Sequence, residues 1–532
     1  MKWCGWGDPD RRLDLPTEAI QALRDELGIV PGDAIEPVTM DAVELPEPRP
    51  LPQAVRVAAG EVLEGADERL RRAAGRSYPD LVRLRTGRLE TAPDAVLRPS
   101  DAVGVEAVLR ACAAESVAVV PFGGGTSVVG GVEALRGDHR CVVSLDLSRL
   151  RSVSFDQTSL TVALGPGLSG PEAESALEAL GVTLGHFPQS FEEATIGGFA
   201  ATRSAGQASS GYGRFDELVT AVELTAPVGR LRTLKIPHTA AGPSLREVVL
   251  GSEGSLGVIT EVSCRVRPAP LLRLYEGWMA ADFEQGRAIV RDLAQRHEAP
   301  DVIRLSDEEE TRVSLELAGT EGFRKRALDA YLGLRRRRGG CLIICGWEGE
   351  REAVHRRRSL AQARLRRGGA AALGGSAGRS WERSRYAGPY LRDELMNLGV
   401  MVETLETAHT WSRLGELYRA VGGALRGALG DRSIVMCHVS HAYTDGASLY
   451  FTFFTRARRG EEIDQWRAAK SAACEAIVAC EGTITHHHAV GRDHAPYMRA
   501  ELGELGLDAL GAVKERLDPA GVMNPGKLLP TP

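Results

Sequence analysis

Residues 117–131 read VAVVPFGGGTSVVGG, a short apolar strand that runs directly into a glycine-rich turn. Glycine lets the backbone bend inward without Cβ clashes, and successive N–H groups in such a turn form a concave site for phosphate oxygens. The hydroxyls of Thr126 and Ser127 add two donors. The turn lacks the Gly-Lys-Ser/Thr ending of a P-loop, and Val128 stands where a Rossmann turn has its third glycine. The stretch therefore predicts a phosphate-binding loop of another kind.

A second glycine motif, GPGLSG at residues 165–170, matches the GxGxxG pattern after a predicted strand. A dinucleotide fold of that type also needs a strand that ends in Asp or Glu about 20 residues further on. The chain instead continues with VTLGHFP at residues 182–188. We interpret the motif as a structural turn rather than a pyrophosphate site.

Two further glycine-rich stretches lie in the same part of the chain, TIGGFAATRSAG at residues 195–206 and GSEGSLGVIT at residues 251–260. A single phosphate would need one such loop, whereas an extended dinucleotide such as FAD can use three, for its pyrophosphate, ribose and ring. The hydrophobic pattern between the loops alternates strand and helix. Predicted helices cover 103–114 and 172–180, and predicted strands cover 117–120, 141–147, 160–164 and 218–225. This pattern indicates a mixed α/β nucleotide-binding domain that ends near residue 270.

In order and spacing, the stretches 121–127, 197–198 and 251–260 resemble the flavoproteins related to vanillyl-alcohol oxidase. The resemblance implies an α+β fold, with a two-subdomain FAD-binding domain and an α/β cap domain. It assigns FAD contacts to Pro121, Phe122, Gly123, Gly124, Gly125, Thr126, Ser127, Gln189, Ser190, Thr195, Gly198, Thr202, Arg203, Ser204, Ala205, Glu253, Gly254, Ser255, Leu256, Gly257, Val258 and Ile259. Some relatives attach FAD through a histidine beside the first loop. Here that position reads Gly-Gly-Thr, so we expect non-covalent FAD.

The chain divides into four predicted segments. Residues 1–88 form an N-terminal helical extension with a proline-rich arm, and residues 89–270 form the FAD-binding domain. Residues 271–485, with long helical patterns between strands such as 342–346 and 449–454, form a cap domain for the substrate. Residues 486–532 form a C-terminal segment that returns to the FAD domain.

The densest functional signal outside the flavin domain is THHHAVGRDH at residues 485–494. Imidazole can donate, accept, carry charge or bind metal near neutral pH. Three adjacent histidines cannot all face one way, so we expect two to reach a site and one to pack or orient another. Zinc needs further ligands at compatible spacing. His438 and His441 are available but form no convincing pattern, so we expect no metal ion.

The triplet His486, His487 and His488 resembles that of the alkyldihydroxyacetonephosphate synthase family, which forms the ether bond of ether lipids. The segment MKWCGWG at residues 1–7 extends the resemblance to the N-terminus. It implies that Tyr450 is the acid/base residue and that the three histidines tune it. It further implies that Arg392 binds the substrate, since a guanidinium fork suits a phosphate monoester, and that Arg304 is a second important arginine. Ala489 and Arg492 depart from the family pattern, which has glycine and lysine there.

The resemblance implies an FAD-dependent enzyme that exchanges the acyl chain of acyl-dihydroxyacetone phosphate for a long-chain alcohol. Its partners would be a lipid phosphate and a fatty alcohol. The alternative is an FAD-dependent 2-hydroxy-acid dehydrogenase or oxidase, whose relatives share endings like residues 518–527 but carry a Gly-Glu-His-Gly type of loop in place of the histidine triplet. A catalytically idle flavin-binding protein is a third reading, and the retained Tyr, His and Arg set argues against it.

Composition further limits the number of domains and the kinds of binding partner. The 532 residues and 57.1 kDa predict two or three domains, and the net charge of −6 gives no reason to expect nucleic acid. Only six of the 65 basic residues are lysine, so the arginine runs at 335–338 and 356–358 are interpreted as solvated faces.

The nine cysteines form no CxxC pair, and the N-terminus carries no secretory signal, so we expect unpaired thiols and a cytoplasmic location. No apolar run approaches the roughly 18 residues that a membrane span needs. A lipid substrate must then be fetched by a peripheral surface at the membrane. A homodimer is the expected assembly.

Overall fold

The computed structural model describes residues 1–317 and 330–530. In these residues the N-terminal half contains a four-stranded, a five-stranded and a small two-stranded sheet, and the C-terminal half contains one large sheet. The first sheet has the strand order Val62–Leu63, Ala95–Leu97, Cys141–Asp146, Val117–Phe122, and the last three are parallel. The helices Gln53–Ala59 and Ala102–Glu115 pack with this sheet in one hydrophobic core. The predicted helix and strands around the first glycine loop are therefore confirmed.

The second sheet is antiparallel, with the order Val153–Asp156, Thr161–Leu164, Val258–Arg265, Val219–Ala226, Gly229–Arg232. The helices Gly170–Glu178, Ile196–Ala201, Phe215–Leu218 and Leu245–Val249 share its hydrophobic core. The short helix Ser209–Tyr212 instead packs through Tyr212 on Tyr275 and Val302. Val182–Thr183 and Arg267–Pro268 form a separate two-stranded pair.

The GPGLSG motif is a packing turn at the edge of this layer. A Cβ on Gly165 would lie 2.2 Å from the carbonyl oxygen of Leu150, and one on Gly167 would lie 2.1 Å from that of Leu147. The glycines thus allow two backbone segments to approach each other closely. The interpretation as a structural turn is confirmed.

The third sheet has seven strands, in the order Ala371–Gly374, Leu272–Ala280, Cys341–Gly349, Val302–Ser306, Ser433–Ala442, Gly446–Arg456, Val400–Thr410, and every neighbouring pair is antiparallel. Its outer face packs on the helices Phe283–Gln295, Arg351–Arg367, Leu414–Leu429 and Glu462–Ala479. Its inner face, with the helices Glu308–Leu317, Gly375–Ser384 and Gly388–Asn397, contributes to a large cavity. Because side chains alternate along a strand, Phe451 and Phe453 enter the core while Tyr450, Thr452 and Phe454 line the cavity.

The two chain ends pack on these domains. The N-terminal region contains the helices Thr17–Leu27, Ala66–Arg71 and Tyr78–Thr86 and the short turns Pro31–Asp33 and Met40–Ala42. The C-terminal region contains the turn Ala495–Tyr497 and the helix Met498–Leu517. Beyond that helix, the N–H of Asn524 donates to the carbonyl of Val119 and the N–H of Val119 donates to that of Val522, which joins the tail to the first sheet. All nine cysteines are buried and free, as expected.

A buried histidine makes stability depend on pH. His186 is 2% exposed between Phe199 and Phe215, and burial lowers its pKa from 6.5 to about 3. Below pH 6.5 the unfolded chain therefore binds a proton that the folded chain excludes, and stability falls as pH falls. We expect this residue to lower the free energy of unfolding by up to about 1.4 kcal/mol for each unit by which the pH falls.

Chemical denaturation between about pH 7 and pH 5 measures how the free energy of unfolding depends on pH. This is roughly the range in which the histidine of the unfolded chain titrates. The variant His186→Gln should lose less stability over the interval, whereas His355→Gln, on the exposed side of the helix Arg351–Arg367, should keep the wild-type slope. Equal slopes for all three proteins would contradict the assignment.

Candidate active site

A cavity of about 1360 Å³ lies where the three glycine loops face the inner surface of the seven-stranded sheet. One wall is polar and is built from the loops at residues 121–127, 194–205 and 253–259. The opposite end is apolar and includes Val313, Leu342, Met436 and Phe454. The cavity therefore suits a large ligand with a polar end and an apolar partner or tail.

The first glycine loop is shaped by contacts that leave no room for a side chain. A Cβ on Gly124 would lie 1.9 Å from the carbonyl oxygen of Glu193, and one on Gly123 would lie 2.4 Å from Oγ1 of Thr195. Gly125 has a φ of +66°, a left-handed conformation that favours glycine. The first and second loops thus pack together through their bare backbones, and the result is a cradle lined by backbone and hydroxyl groups.

The substitution Gly124→Ala should abolish cofactor retention, because its methyl group forces the two loops apart. We expect the purified variant to hold at least about 10-fold less flavin, as follows from the loss of more than 1.4 kcal/mol of binding free energy. The ratio of flavin absorbance to protein absorbance measures the flavin content of the variant. Gly427→Ala is the matched control, since open space surrounds that helical position and alanine favours helix there. Full flavin content in Gly124→Ala would contradict the cradle.

Most residues predicted to bind FAD line the cavity. They are Pro121, Phe122, Gly123, Gly124, Gly125, Thr126, Ser127, Gln189, Ser190, Thr195, Gly198, Thr202, Ser204, Ala205, Glu253, Gly254, Gly257, Val258 and Ile259. Nε2 of Gln189 and Oε1 of Gln207 are buried without a hydrogen-bond partner among the described residues. Unpartnered buried polar atoms beside a bare backbone cradle fit a dinucleotide such as FAD.

Three of the residues predicted to bind the cofactor, Arg203, Ser255 and Leu256, do not line the cavity. The guanidinium of Arg203 donates to the backbone carbonyls of Leu250 and Glu247, which holds it outside. Leu256 is fully buried in the hydrophobic core of the second sheet. Ser255 is also fully buried, and its carbonyl accepts a hydrogen bond from Lys514. In loops of small residues, some side chains face the cavity and others face the hydrophobic core. The sequence pattern does not show which residue faces which way.

Tyr450 lies at the centre of a row of polar residues that runs across three strands. It is in register with Glu406 on one side and with His438 on the other. Residues in register point to the same face of a sheet, so all three side chains face inward. The ring of His438 stacks on that of Tyr450 with centroids 4.8 Å apart. Burial raises the pKa of Tyr450 to about 12, and Thr404 is hydrogen-bonded to its side chain.

Glu406 holds the histidine triplet. Its carboxylate accepts the backbone N–H groups of His486, His487 and His488 at 2.7–2.9 Å and the hydroxyl of Thr485 at 2.6 Å. Oε2 also lies 3.4 Å from Nδ1 of His487. The carboxylate is buried, yet the neighbouring histidines hold its pKa well below the ordinary value. The ionised carboxylate of Glu406 therefore holds the loop that contains the histidine triplet in place.

The substitution Glu406→Gln should loosen this loop, because an amide group cannot accept four hydrogen bonds and carries no charge. Each buried N–H left without a partner costs about 1–3 kcal/mol. We expect a lower Tm and faster hydrogen exchange at residues 486–488, measured by mass spectrometry. Glu416→Gln, an exposed glutamate that pairs with Arg413, should leave both unchanged. Unaltered hydrogen exchange at residues 486–488 in Glu406→Gln would contradict the role of Glu406 in holding this loop.

The triplet divides as expected, with two histidines at the cavity and one behind it. His487 and His488 line the cavity, and the ring of His488 lies edge-on to Tyr450 at 5.3 Å. His486 does not line it: its Nε2 is 2.8 Å from the hydroxyl of Tyr443, and its ring stacks on His441. His486 therefore takes the position expected for the one histidine that packs behind the site and orients another.

The two predicted arginines differ in how their charges are used. Arg392 is 8% exposed, and its Nη1 donates to the carbonyl of Arg76, while its Nε and Nη2 have no partner among the described residues. A buried guanidinium that lines a cavity and has two donors without a protein partner fits an anionic ligand. Arg304 also lines the cavity, but it pairs with Glu310 and contacts Nδ1 of His438. Its charge is already compensated, which suits a positioning role.

Two residues of the site, Glu406 and Trp6, are not predicted from the sequence, and Glu253 is predicted with only part of its role. Glu406 is one, since its role depends on pairing between strands about 40 residues apart. Glu253 was predicted from the third loop, but its carboxylate accepts the N–H groups of Val490 and Gly491 and so ties that loop to the histidine loop. Trp6 lines the cavity, and its backbone N–H donates to the carboxylate of Asp393. A positive φ of 75° at Ala489 accounts for glycine in the family pattern at that position.

Comparison with known proteins identifies the family. Residues 93–235 match the model of the FAD binding domain, and residues 270–528 match that of the C-terminal domain of FAD linked oxidases. Alkyldihydroxyacetonephosphate synthase of Dictyostelium discoideum is 30% identical over 100% of this chain and 94% of its own length. The chain belongs to the alkyldihydroxyacetonephosphate synthase family. It is an FAD-binding protein, as its glycine loops predict.

Solved structures agree with this family. A structure of alkyldihydroxyacetonephosphate synthase is 27% identical, covers 99% of both chains and has a TM-score of 0.86. p-Cresol methylhydroxylase is 14% identical, covers 94% of this chain and 97% of its own, and has a TM-score of 0.69, which shows a shared fold. The predicted vanillyl-alcohol oxidase type of fold is confirmed. Within residues 1–317 and 330–530, no helix is both long enough and apolar enough to cross a membrane.

Proposed function

We propose that this family member is an FAD-dependent synthase that exchanges the acyl chain of acyl-dihydroxyacetone phosphate for a long-chain alcohol. The observation that carries the proposal is the composition of one cavity. It combines the FAD-type glycine loops with a buried arginine that has two free donors, a tyrosine flanked by histidines and an apolar end. Bound FAD supplies the activation of the substrate carbon that bears the ester.

The exchange is balanced without net oxidation. The bond between the substrate carbon and the acyl oxygen breaks, and the acyl chain leaves as a carboxylate. The alcohol oxygen forms the new ether bond to the same carbon and loses its proton. The protein must therefore bind a phosphate, accommodate an alkyl chain and move protons at the reacting carbon and at the alcohol.

Arg392 binds the phosphate in this proposal. Its Nε and Nη2 offer two parallel donors, and the bond from Nη1 to the carbonyl of Arg76 fixes their direction. A planar fork of this kind matches two phosphate oxygens. Because Arg392 is buried, the two hydrogen bonds to phosphate are stronger than at a surface.

Tyr450 moves the proton at the substrate carbon. With a pKa raised to about 12 by burial, its phenol holds its proton until a neighbouring group accepts it. The rings of His488 and His487 flank it at centroid distances of 5.3 Å and 6.1 Å. A proton that reaches His487 is stabilised by the carboxylate of Glu406 at 3.4 Å. The triplet therefore supports a proton relay with a built-in counter-charge.

The apolar end of the cavity accommodates the hydrocarbon chain. Val313 and Leu317 from the helix Glu308–Leu317 face Leu342 and Met436 from the seven-stranded sheet there. Burial of each methylene contributes about 0.8 kcal/mol, so a long chain binds far more tightly than a short one. A substrate with a two- or three-carbon acid would leave this end unfilled.

The flavin spectrum distinguishes the proposal from 2-hydroxy-acid oxidation. Anaerobic holoenzyme is mixed with acyl-dihydroxyacetone phosphate and hexadecanol, or with lactate or glycolate, and the products are analysed by mass spectrometry. The proposal predicts ether and free fatty acid in equal amounts and an oxidised flavin spectrum at the end. Lasting bleaching by lactate or glycolate, with no ether product, would favour the alternative.

The proposal includes a cytoplasmic homodimer that meets its substrates at a bilayer surface, because long-chain alcohols partition into lipid. Light scattering coupled to size-exclusion chromatography tests the dimer, and co-sedimentation with phospholipid vesicles tests the contact. A monomer that never sediments with vesicles would contradict both parts.

A further inference from the structure

Three imidazoles form a compact cluster beside the cavity. His441, on the strand Ser433–Ala442, and His486 and His487, on the histidine loop, each place a ring nitrogen within 4.8 Å of the other two. The rings of His441 and His486 are stacked at 5.2 Å, and that of His487 lies edge-on to both. Strand and loop together therefore assemble a set that the spacing along the chain does not suggest.

The hydrogen bonds of this cluster are incomplete. Nδ1 of His486 faces Nδ1 of His487 at 3.0 Å, so the pair can share only one proton, and one nitrogen must accept. His441 is 3% exposed, and its Nδ1 has no partner among the described residues. Buried polar atoms are nearly always satisfied, so an unpartnered imidazole nitrogen beside two other imidazoles points to a missing ligand.

We propose that His441, His486 and His487 bind a divalent transition-metal ion, for which Zn²⁺ is the best-suited example. Zinc takes imidazole nitrogens at about 2.0–2.1 Å in tetrahedral geometry, which separates neighbouring nitrogens by roughly 3.4 Å. The pair His486 and His487 already stands close to that spacing, and rotation of the His441 ring brings in the third ligand.

The surroundings of the cluster favour a cation. Oε2 of Glu406 lies 3.4 Å from Nδ1 of His487 and 4.0 Å from Nδ1 of His486, so a full negative charge stands next to the ion. That carboxylate already accepts several hydrogen bonds and acts here as a counter-charge. His487 lines the cavity, which leaves the fourth coordination position open to water or a ligand from that side.

Metal binding and catalysis should exclude each other. Zinc on His487 occupies the lone pair that the proposed proton relay beside Tyr450 requires. The binding site stands on the geometry of three histidines alone, whereas the inhibition rests on the proposed function. The two are therefore measured separately, the first by metal occupancy and the second by turnover.

The experiment uses metal-free holoenzyme. Equilibrium dialysis against Zn²⁺ should yield one ion per chain, and Co²⁺ should produce tetrahedral absorption bands at longer wavelengths than the flavin spectrum. The variant His441→Gln should bind at least about 100-fold more weakly, since even groups behind a metal ligand contribute 10–100-fold. His355→Gln, an exposed histidine on the outer helix, should bind like wild type.

Flavin content verifies that each variant is folded, and His486→Gln, which removes a different ligand, repeats the test if His441→Gln loses its flavin. Equal zinc affinity in the ligand variants and His355→Gln, or absence of the cobalt bands in wild type, would overturn the site. If one zinc ion binds per chain and turnover is unchanged, the metal site is supported and the proposed inhibition is wrong.

Discussion

The variant Tyr450→Phe should form ether product about 10²–10⁴-fold more slowly than wild type, which is the usual contribution of a positioned acid/base group. Phenylalanine keeps the stacking on His438 and removes only the hydroxyl group, so flavin content and Tm should remain close to wild type. Single-turnover measurements with saturating substrates isolate the chemical step from binding.

Tyr331→Phe serves as the matched control, because that partly exposed hydroxyl donates to the carbonyl of Ala372 away from the histidine loop. Its rate should equal that of wild type. A rate for Tyr450→Phe within a factor of about three of wild type, too small a change for a positioned proton-transfer group, would remove this tyrosine from the mechanism.

Arg392→Met should show the second large effect, in substrate binding. The change deletes two free donors in a buried position, and each hydrogen bond to a charged group contributes about 1.5–3 kcal/mol. The value of kcat/KM for acyl-dihydroxyacetone phosphate should therefore fall by about 10²–10⁴-fold. Arg392→Lys should recover little, because one ammonium group cannot replace the fork.

The phosphate assignment is tested by a substrate that lacks the phosphate. Acyl-dihydroxyacetone should be a poor substrate for wild type and equally poor for Arg392→Met, since the lost contact no longer exists. If the variant loses as much activity with this analogue as with the phosphorylated substrate, Arg392 acts on something other than phosphate. Flavin content of the variant serves as the check on folding.

The local parts of this fold could be predicted because their causes are local. The glycine loops follow from bare backbone at residues such as Gly124, and the flanking strands follow from short apolar runs. The division of labour in the histidine triplet also follows from geometry, since three adjacent side chains cannot share one face. These features depend on a few neighbouring residues.

The remaining features depend on contacts between distant segments. Glu406 becomes part of the site only because its strand pairs with the strand of Tyr450, and no motif surrounds it. Arg203 belongs to a cofactor-type loop, yet carbonyl groups at residues 247 and 250 draw it away from the cavity. His441 joins His486 and His487 through a similar long-range approach. Pairing register and loop direction decide all three.

The central claim is the exchange of a carboxylate for an alcohol at one carbon. Its most direct test incubates purified holoenzyme with acyl-dihydroxyacetone phosphate and hexadecanol labelled with ¹⁸O, and then determines the label in the products by mass spectrometry. The account predicts that the ether product contains the label and that an equal amount of unlabelled fatty acid is released. An absence of ether, or an ether whose oxygen is unlabelled, would contradict it.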